Sequence, residues 1–92
     1  MLSKKRILIT GGTSGIGKEL ARFFSSLGAD VAIFGTNLER GQAALEEMKR
    51  AAKDPTQKAY LDIVDVANPT AVEQSIQKLL GEWGGIDVLI NN

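Results

Sequence analysis

Eight consecutive residues, Thr10-Gly11-Gly12-Thr13-Ser14-Gly15-Ile16-Gly17, hold four of the chain's ten glycines. Between a strand and a helix, residues of this kind suit one task, the holding of phosphate. Backbone N–H groups of the turn and of the helix start point at an anion, and the missing Cβ atoms let it approach. A plain strand-to-helix turn also uses glycine for its backbone angles, but rarely so many at once. Three phosphate-binding spacings compete for the segment. G-x-G-x-x-G fails from Gly11 and from Gly12, because Thr13 or Ser14 stands where the second Gly should be. The nucleoside-triphosphate spacing G-x-x-x-x-G-K-[ST] is met from Gly12 through Gly17-Lys18. It is broken by Glu19, which stands where a Mg²⁺-ligating hydroxyl belongs. Thr-Gly-x-x-x-Gly-x-Gly matches throughout.

The elements needed to position this turn are legible in the periodicity. Arg6–Thr10 is a short β-branched run ending in glycines, a buried strand. From Ile16 the apolar positions Ile16, Leu20, Phe23, Phe24 and Leu27 form a helical stripe that ends at Gly28. Val31–Phe34 is a second strand. Asn37 is an N-cap, with Ala44, Met48, Ala51 and Ala52 on one face of the following helix. Asp54-Pro55 breaks that helix, and Lys58–Val66 reads as a third strand. Asn68-Pro69 starts a third helix with the apolar face Val72, Ile76, Leu79, Leu80 and Trp83, ended by Gly84-Gly85. Ile86–Ile90 is a fourth strand. The order βαβαβαβ predicts an α/β fold with parallel strands, right-handed crossovers and helices on the sheet faces.

Two further pairs fall at strand ends: Asp65-Val66 after the third strand and Asn91-Asn92 after the fourth. With Thr10 to Gly17 they make the chain resemble the short-chain dehydrogenases/reductases from about Lys5 onward. The resemblance implies a Rossmann-type doubly wound parallel sheet of strand order 3-2-1-4, partial in this chain. It implies that Gly11, Gly12, Thr13, Ser14, Gly15, Ile16 and Gly17 form the cofactor turn. Asp65 and Val66 match the pair set against the adenine ring, and Asn91-Asn92 matches the start of an Asn-Asn-Ala-Gly motif, placing Asn92 at the cofactor. Within the family, Phe34 to Gly41 looks most like the β-ketoacyl-acyl-carrier-protein reductases. The implied activity is hydride transfer between nicotinamide and a carbonyl or alcohol carbon. The closer likeness implies an acyl-carrier-protein-bound carbonyl substrate in fatty-acid synthesis, and a full-length homo-oligomer.

Nicotinamide cofactor choice turns on the end of the second strand, where an acid holds the 2′-OH of NAD and repels a phosphate. That stretch is Gly35-Thr36-Asn37, without a carboxylate. Asp30 precedes the strand, at the other end of the sheet, and reads as a solvated turn residue. Glu39 fits a helix-dipole role. Relatives that use NADP often carry Arg at the position of Thr36 and a basic residue at that of Ser14, and this chain has neither. Hydroxyls and an amide at Ser14, Thr36 and Asn37 can still donate to phosphate oxygens, with Arg40 nearby. The sequence favours NADP over NAD. Asp65 has a plain alternative as a cap or loop charge, but Asn68 already fills the capping role. Asp62 reads as an exposed edge residue, Asp87 as the acceptor of a structural hydrogen bond, and Trp83 as core.

The family's catalytic Tyr-x-x-x-Lys is absent: the only tyrosine, Tyr60, lies in the third strand and is followed four residues on by Val64. No catalytic residue is expected in this chain, and no reductase activity from it alone. With neither Cys nor His it has no thiolate nucleophile, disulfide or usual zinc site, and metal ligands are not expected. Eleven basic against eleven acidic residues leave no field to steer it to nucleic acid or an anionic membrane. No apolar run suits a signal peptide or a membrane helix, so a cytoplasmic protein is expected. At 43% hydrophobic the chain can fold around a core. The expectation is one incomplete domain, residues 1–92, whose fourth strand is an unguarded edge prone to self-association. Two other readings remain at this stage: a phosphate-loop nucleotide-binding module, and a non-catalytic interaction protein of the same fold.

Overall fold

The computed structural model describes residues 1–13 and 15–92. Ser14, expected among the cofactor contacts, lies outside the described residues. Seven elements alternate: β1 (Arg6–Thr10), α1 (Gly15–Ser26), β2 (Asp30–Gly35), α2 (Leu38–Ala51), β3 (Ala59–Ile63), α3 (Pro69–Trp83) and β4 (Val88–Asn91). The four strands are parallel in the order β3-β2-β1-β4, as expected.

Each helix covers a sheet face because strand side chains alternate. Ile7, Ile9, Val31, Ile33 and Ile90 point toward α1 and α2, where Ala21, Ala44 and Met48 close a first core. Leu8, Ala32, Phe34 and Tyr60 point to the other face and meet Leu79 and Trp83 of α3. Trp83 is core, as expected, with Tyr60 edge-on to it at 6.2 Å between ring centroids. The central strands β1 and β2 are apolar on both faces, which explains their unbroken hydrophobic runs.

The helix ends follow local chemistry. Asn37 and Asn68 cap α2 and α3, their side chains accepting from the N–H groups of Arg40 and Ala71. Gly84 ends α3 in the left-handed conformation that non-glycine residues avoid.

Five expectations need correction, the first being that the fourth strand runs Val88–Asn91 rather than Ile86–Ile90, so that Asn91 belongs to it and pairs with Thr10. The buried face of α1 is Gly17, Ala21 and Ser25, while Ile16 and Phe23 of the expected stripe are 72% and 49% exposed. Small residues let α1 lie close to the sheet, and the large ones flank the contact. The third strand is shorter than Lys58–Val66, because pairing with β2 stops at Gly35↔Ile63 and leaves Asp65 and Val66 in the following loop. Asp62 is half-buried rather than exposed. Asp30 is the first residue of β2, and its Oδ1 accepts the Lys58 N–H at 2.7 Å, which ties the starts of β2 and β3.

Candidate functional site: the C-terminal edge of the sheet

Parallel pairing brings the last residues of all four strands, Thr10, Gly35, Ile63 and Asn91, to one edge. There β1 runs into the glycine-rich turn. The turn is first tied down by its own main chain: the N–H groups of Gly11 and Gly12 both donate to the Phe34 carbonyl, at 2.8 and 3.3 Å. These two donors therefore serve the fold, and the expectation that they point at an anion is corrected. The N–H groups free of intrahelical partners are those at the start of α1, from Gly15 onward.

Gly15 and Gly17 have different reasons to be glycine. Gly15 has φ +59°, and a Cβ added to it would meet nothing within 4 Å. It opens onto free space at a helix N-terminus, which a side chain would occupy. Gly17 is buried, and a Cβ there would run into the Gly11 carbonyl oxygen and stand 2.7 Å from Asn92 Nδ2. Its missing side chain allows α1 to start directly against the turn. Ile16, between them, is exposed at the same helix start.

The end of β4 closes on the turn from the other side. The Thr10 hydroxyl donates to Asn91 Oδ1 at 2.9 Å, and Asn92 Nδ2 donates to the Gly11 carbonyl at 3.2 Å. The Asn92 N–H also reaches the Thr10 carbonyl at 3.3 Å. Asn92 thus holds the turn's backbone. Thr13 is buried with its side chain against Gly35, turned inward rather than toward a ligand.

Beyond Gly35, Thr36 and Asn37 are exposed. Asn37 Oδ1 is committed to the helix cap at 2.9 Å, which leaves its amide NH₂ and the Thr36 hydroxyl as outward donors. No carboxylate ends β2, and Glu39 and Arg40 are exposed in the first turn of α2. After β3, Asp65 Oδ1 accepts from the Ala67 N–H at 2.9 Å, and its carbonyl accepts from Asn68. Asp65 shapes the loop that feeds α3, the plain alternative its sequence context offered, while Asn68 does the capping. Val66 is 46% exposed and lines a groove of about 390 Å³ with Thr10, Val72, Ile76, Leu89 and Asn91.

Lys18 pairs with Glu47 of α2 at 2.7 Å, and this hydrogen bond holds the Glu47 carboxyl below the usual carboxylate range. A phosphate-loop lysine would reach the phosphates instead, so this pairing counts against the triphosphate reading beside the missing hydroxyl. Tyr60 is partly buried, and burial followed by the charges of Asp62 and Glu82 pushes its phenol above the ordinary value. Among the described residues no cluster of His, Cys, Asp or Glu could hold a metal ion, and no helix is long and apolar enough to cross a membrane. A groove of about 550 Å³ beside Lys4, Asp30, Lys53 and Asp54 lies at the opposite end of the sheet. Its acids are used structurally: Asp30 holds Lys58, and Asp54 Oδ1 accepts from both the N–H and the hydroxyl of Thr56 at 2.8 Å.

Sequence reasoning missed the Phe34 carbonyl, Gly35 and the Thr10–Asn91 bond. The first acts through its main chain, so no side-chain signal marks it.

Comparison with known proteins agrees with this geometry. A family model described as short chain dehydrogenase matches residues 5–92. The 3-oxoacyl-[acyl-carrier-protein] reductase FabG of Chlamydia muridarum is 39% identical over 93 residues, covering 100% of this chain and 36% of that protein. A sorbitol dehydrogenase of Cereibacter sphaeroides is 36% identical over 91 residues, covering 99% of this chain and 33% of that protein. L-Sorbose reductase from Gluconobacter frateurii, solved with NADPH and L-sorbose, superposes with a TM-score of 0.88 at 31% identity, over 99% of this chain and 34% of that one. The chain thus spans about a third of the length of the relatives it matches. Turn, strand order and paired asparagines agree with that match over nearly the full 92 residues: the chain belongs to the short-chain dehydrogenase family.

Proposed function

We propose that this chain is the N-terminal, dinucleotide-binding part of an incomplete Rossmann-type domain, from an NADP(H)-dependent reductase of 3-oxoacyl thioesters carried on acyl-carrier protein. The observation that carries the reading is Gly15, a positive-φ glycine with open space where its side chain would be, at the helix start after β1. A diphosphate suits that position, because the first-turn N–H groups of α1 have no acceptor within the helix and the helix dipole favours negative charge there. Asn91 and Asn92 hold the turn in shape, and the Thr36 hydroxyl and Asn37 amide face the ribose. With no carboxylate at the end of β2 to repel it, a 2′-phosphate is accommodated there, with Arg40 nearby as a counter-charge. Asp65 and Val66 border the adenine. The likeness to FabG of Chlamydia muridarum supports the substrate class, and an NADPH-bound structural relative supports the cofactor.

A bound nicotinamide dinucleotide supplies the hydride that reduces a carbonyl. This chain's own part is to bind and orient it. Among its residues there is no Tyr-x-x-x-Lys to move the proton, so the 92-residue chain alone reduces nothing in this account. The full-length protein is a cytoplasmic homo-oligomer on this reading.

The test is a side-by-side assay of the full-length protein. NADPH oxidation with a 3-oxoacyl thioester of acyl-carrier protein is compared with NAD⁺ reduction by a polyol. The first should be faster by orders of magnitude, while NAD⁺-dependent polyol oxidation alone would replace this reading with a dehydrogenase one.

A further inference from the structure

Gly35 is the last residue of β2, and nothing in its backbone calls for glycine: it is absent from the positive-φ positions Gly11, Gly15, Gly28 and Gly84. What excludes a side chain is Thr13. A Cβ at Gly35 would overlap the Thr13 methyl, and would stand 2.8 Å from its Oγ1 and 3.1 Å from its Cβ. Thr13 itself is 8% exposed, so it has little room to swing away. Three strand ends meet at this contact. The Gly11 and Gly12 N–H groups donate to the carbonyl of Phe34, the residue before Gly35, and the Val64 N–H donates to the Gly35 carbonyl at 2.8 Å. The next residue, Thr36, begins the exposed segment that Asn37 caps.

We propose that Thr13 and Gly35 form an interlock that sets the glycine-rich turn relative to Thr36–Asn37, so that diphosphate and ribose are met at one fixed separation. Thr13 is a positioning residue in this arrangement and not a ligand contact. The inference rests on the dinucleotide reading above and deepens it: the length of ligand that fits between turn and ribose segment is fixed by a methyl group seated where Gly35 has no side chain. Close packing makes such a seat bistable rather than compliant, because an added methyl group must displace its neighbour.

The experiment is a double-mutant cycle in this chain with Gly35→Ala, Thr13→Ala and both together. NADPH affinity is measured by calorimetry, adenosine 2′-monophosphate affinity by NMR titration, and thermal midpoint by circular dichroism. Gly35→Ala should weaken NADPH binding roughly tenfold or more, about 1.4 kcal/mol, as contacting pairs couple. Thr13→Ala in the same chain should restore most of that loss by vacating the seat. Adenosine 2′-monophosphate, which reaches the ribose segment and the Asp65–Val66 loop but not the glycine-rich turn, should bind Gly35→Ala as it binds the parent. A merely structural defect would weaken both ligands together. Additive losses in the double mutant, or equal losses for both ligands, would overturn the interlock while leaving the dinucleotide reading intact. A parent chain that binds no dinucleotide would overturn that reading and this role with it. If Gly35→Ala alone does not fold, Thr13→Leu crowds the same seat from the other side. Undiminished NADPH binding by folded Thr13→Leu would then overturn the proposal, and weakened binding with retained adenosine 2′-monophosphate affinity would support it.

Discussion

The Thr10 hydroxyl donates to Asn91 Oδ1 at 2.9 Å, joining the last residues of β1 and β4 by side chains as well as by the ladder between the strands. Thr10 is nearly buried, so its hydroxyl is close to fully dependent on this partner and on the Ile90 carbonyl at 3.5 Å. Thr10→Val keeps the shape and removes the donor. It should cost about 0.5–1.5 kcal/mol, the net worth of one hydrogen bond. Urea unfolding of the two chains measures this, and an unchanged midpoint would mean that the bond contributes nothing to the junction.

Gly15 and Gly17 should lose stability for different physical reasons when given a side chain. Gly17→Ala forces a methyl into the Gly11 carbonyl and the Asn92 amide and should lower stability by about 1–3 kcal/mol. Gly15→Ala meets no neighbour and loses only the roughly 1–2 kcal/mol of a left-handed L-residue. Gly15→Leu should abolish dinucleotide binding in a chain that still melts cooperatively. Thermal melts paired with titrations separate the two positions. Undiminished dinucleotide binding by a folded Gly15→Leu would contradict a ligand site at Gly15.

Much of this was legible in the sequence where the signal is local. Asn37 and Asn68-Pro69 announce their helices because capping is settled within four residues, and the β-branched runs of β1 and β2 announce buried strands. The face of α1 was only half legible: Leu20 and Phe24 of the expected stripe pack against the core, while Ile16 and Phe23 do not. Apolar periodicity gives weight to large residues such as Ile16 and Phe23, whereas the sheet accepts the small ones, Gly17, Ala21 and Ser25. The end of β3 was also hidden, since it is fixed by where β2 stops offering partners at Gly35, not by anything in Val64-Asp65-Val66. At the site, the glycine spacing pointed to the turn, but not to the Phe34 carbonyl that consumes two of its N–H groups.

Asn37 and Asn68 cap equivalent helices, yet only Asn37 sits at the ribose end of the site in this account. Asn37→Ala and Asn68→Ala should each cost about 1 kcal/mol of stability. Only Asn37→Ala should also weaken NADPH, with NADH less affected. Parallel denaturation and binding measurements check this, and matching NADPH losses in both variants would remove Asn37 from the ligand contacts.

Asp87 accepts the Arg6 N–H at 2.8 Å and lies 3.5 Å from Arg6 Nε. The backbone hydrogen bond first, then the Arg6 charge, holds its carboxyl below the ordinary range. A carboxyl lowered on folding adds stability that is complete above its unfolded value of about 4, and that is lost as pH falls through that value toward the folded one. Asp87→Asn should therefore flatten the acid limb of stability against pH and change its shape little near neutrality. Denaturation midpoints across the acid range test this, and an unchanged acid limb would show that the pair is not coupled to folding.

The central claim is that the turn after β1 holds a dinucleotide and that the end of β2 accepts a 2′-phosphate. Calorimetric titration of NADPH, NADH and Mg-ATP into the chain, beside Gly15→Leu and Lys18→Ala, tests it most directly. The account predicts that NADPH binds tighter than NADH, that both bind tighter than Mg-ATP, that Gly15→Leu binds none of them, and that Lys18→Ala leaves NADPH affinity unchanged because Glu47 already holds that lysine. Mg-ATP binding tighter than either dinucleotide and lost in Lys18→Ala would contradict it.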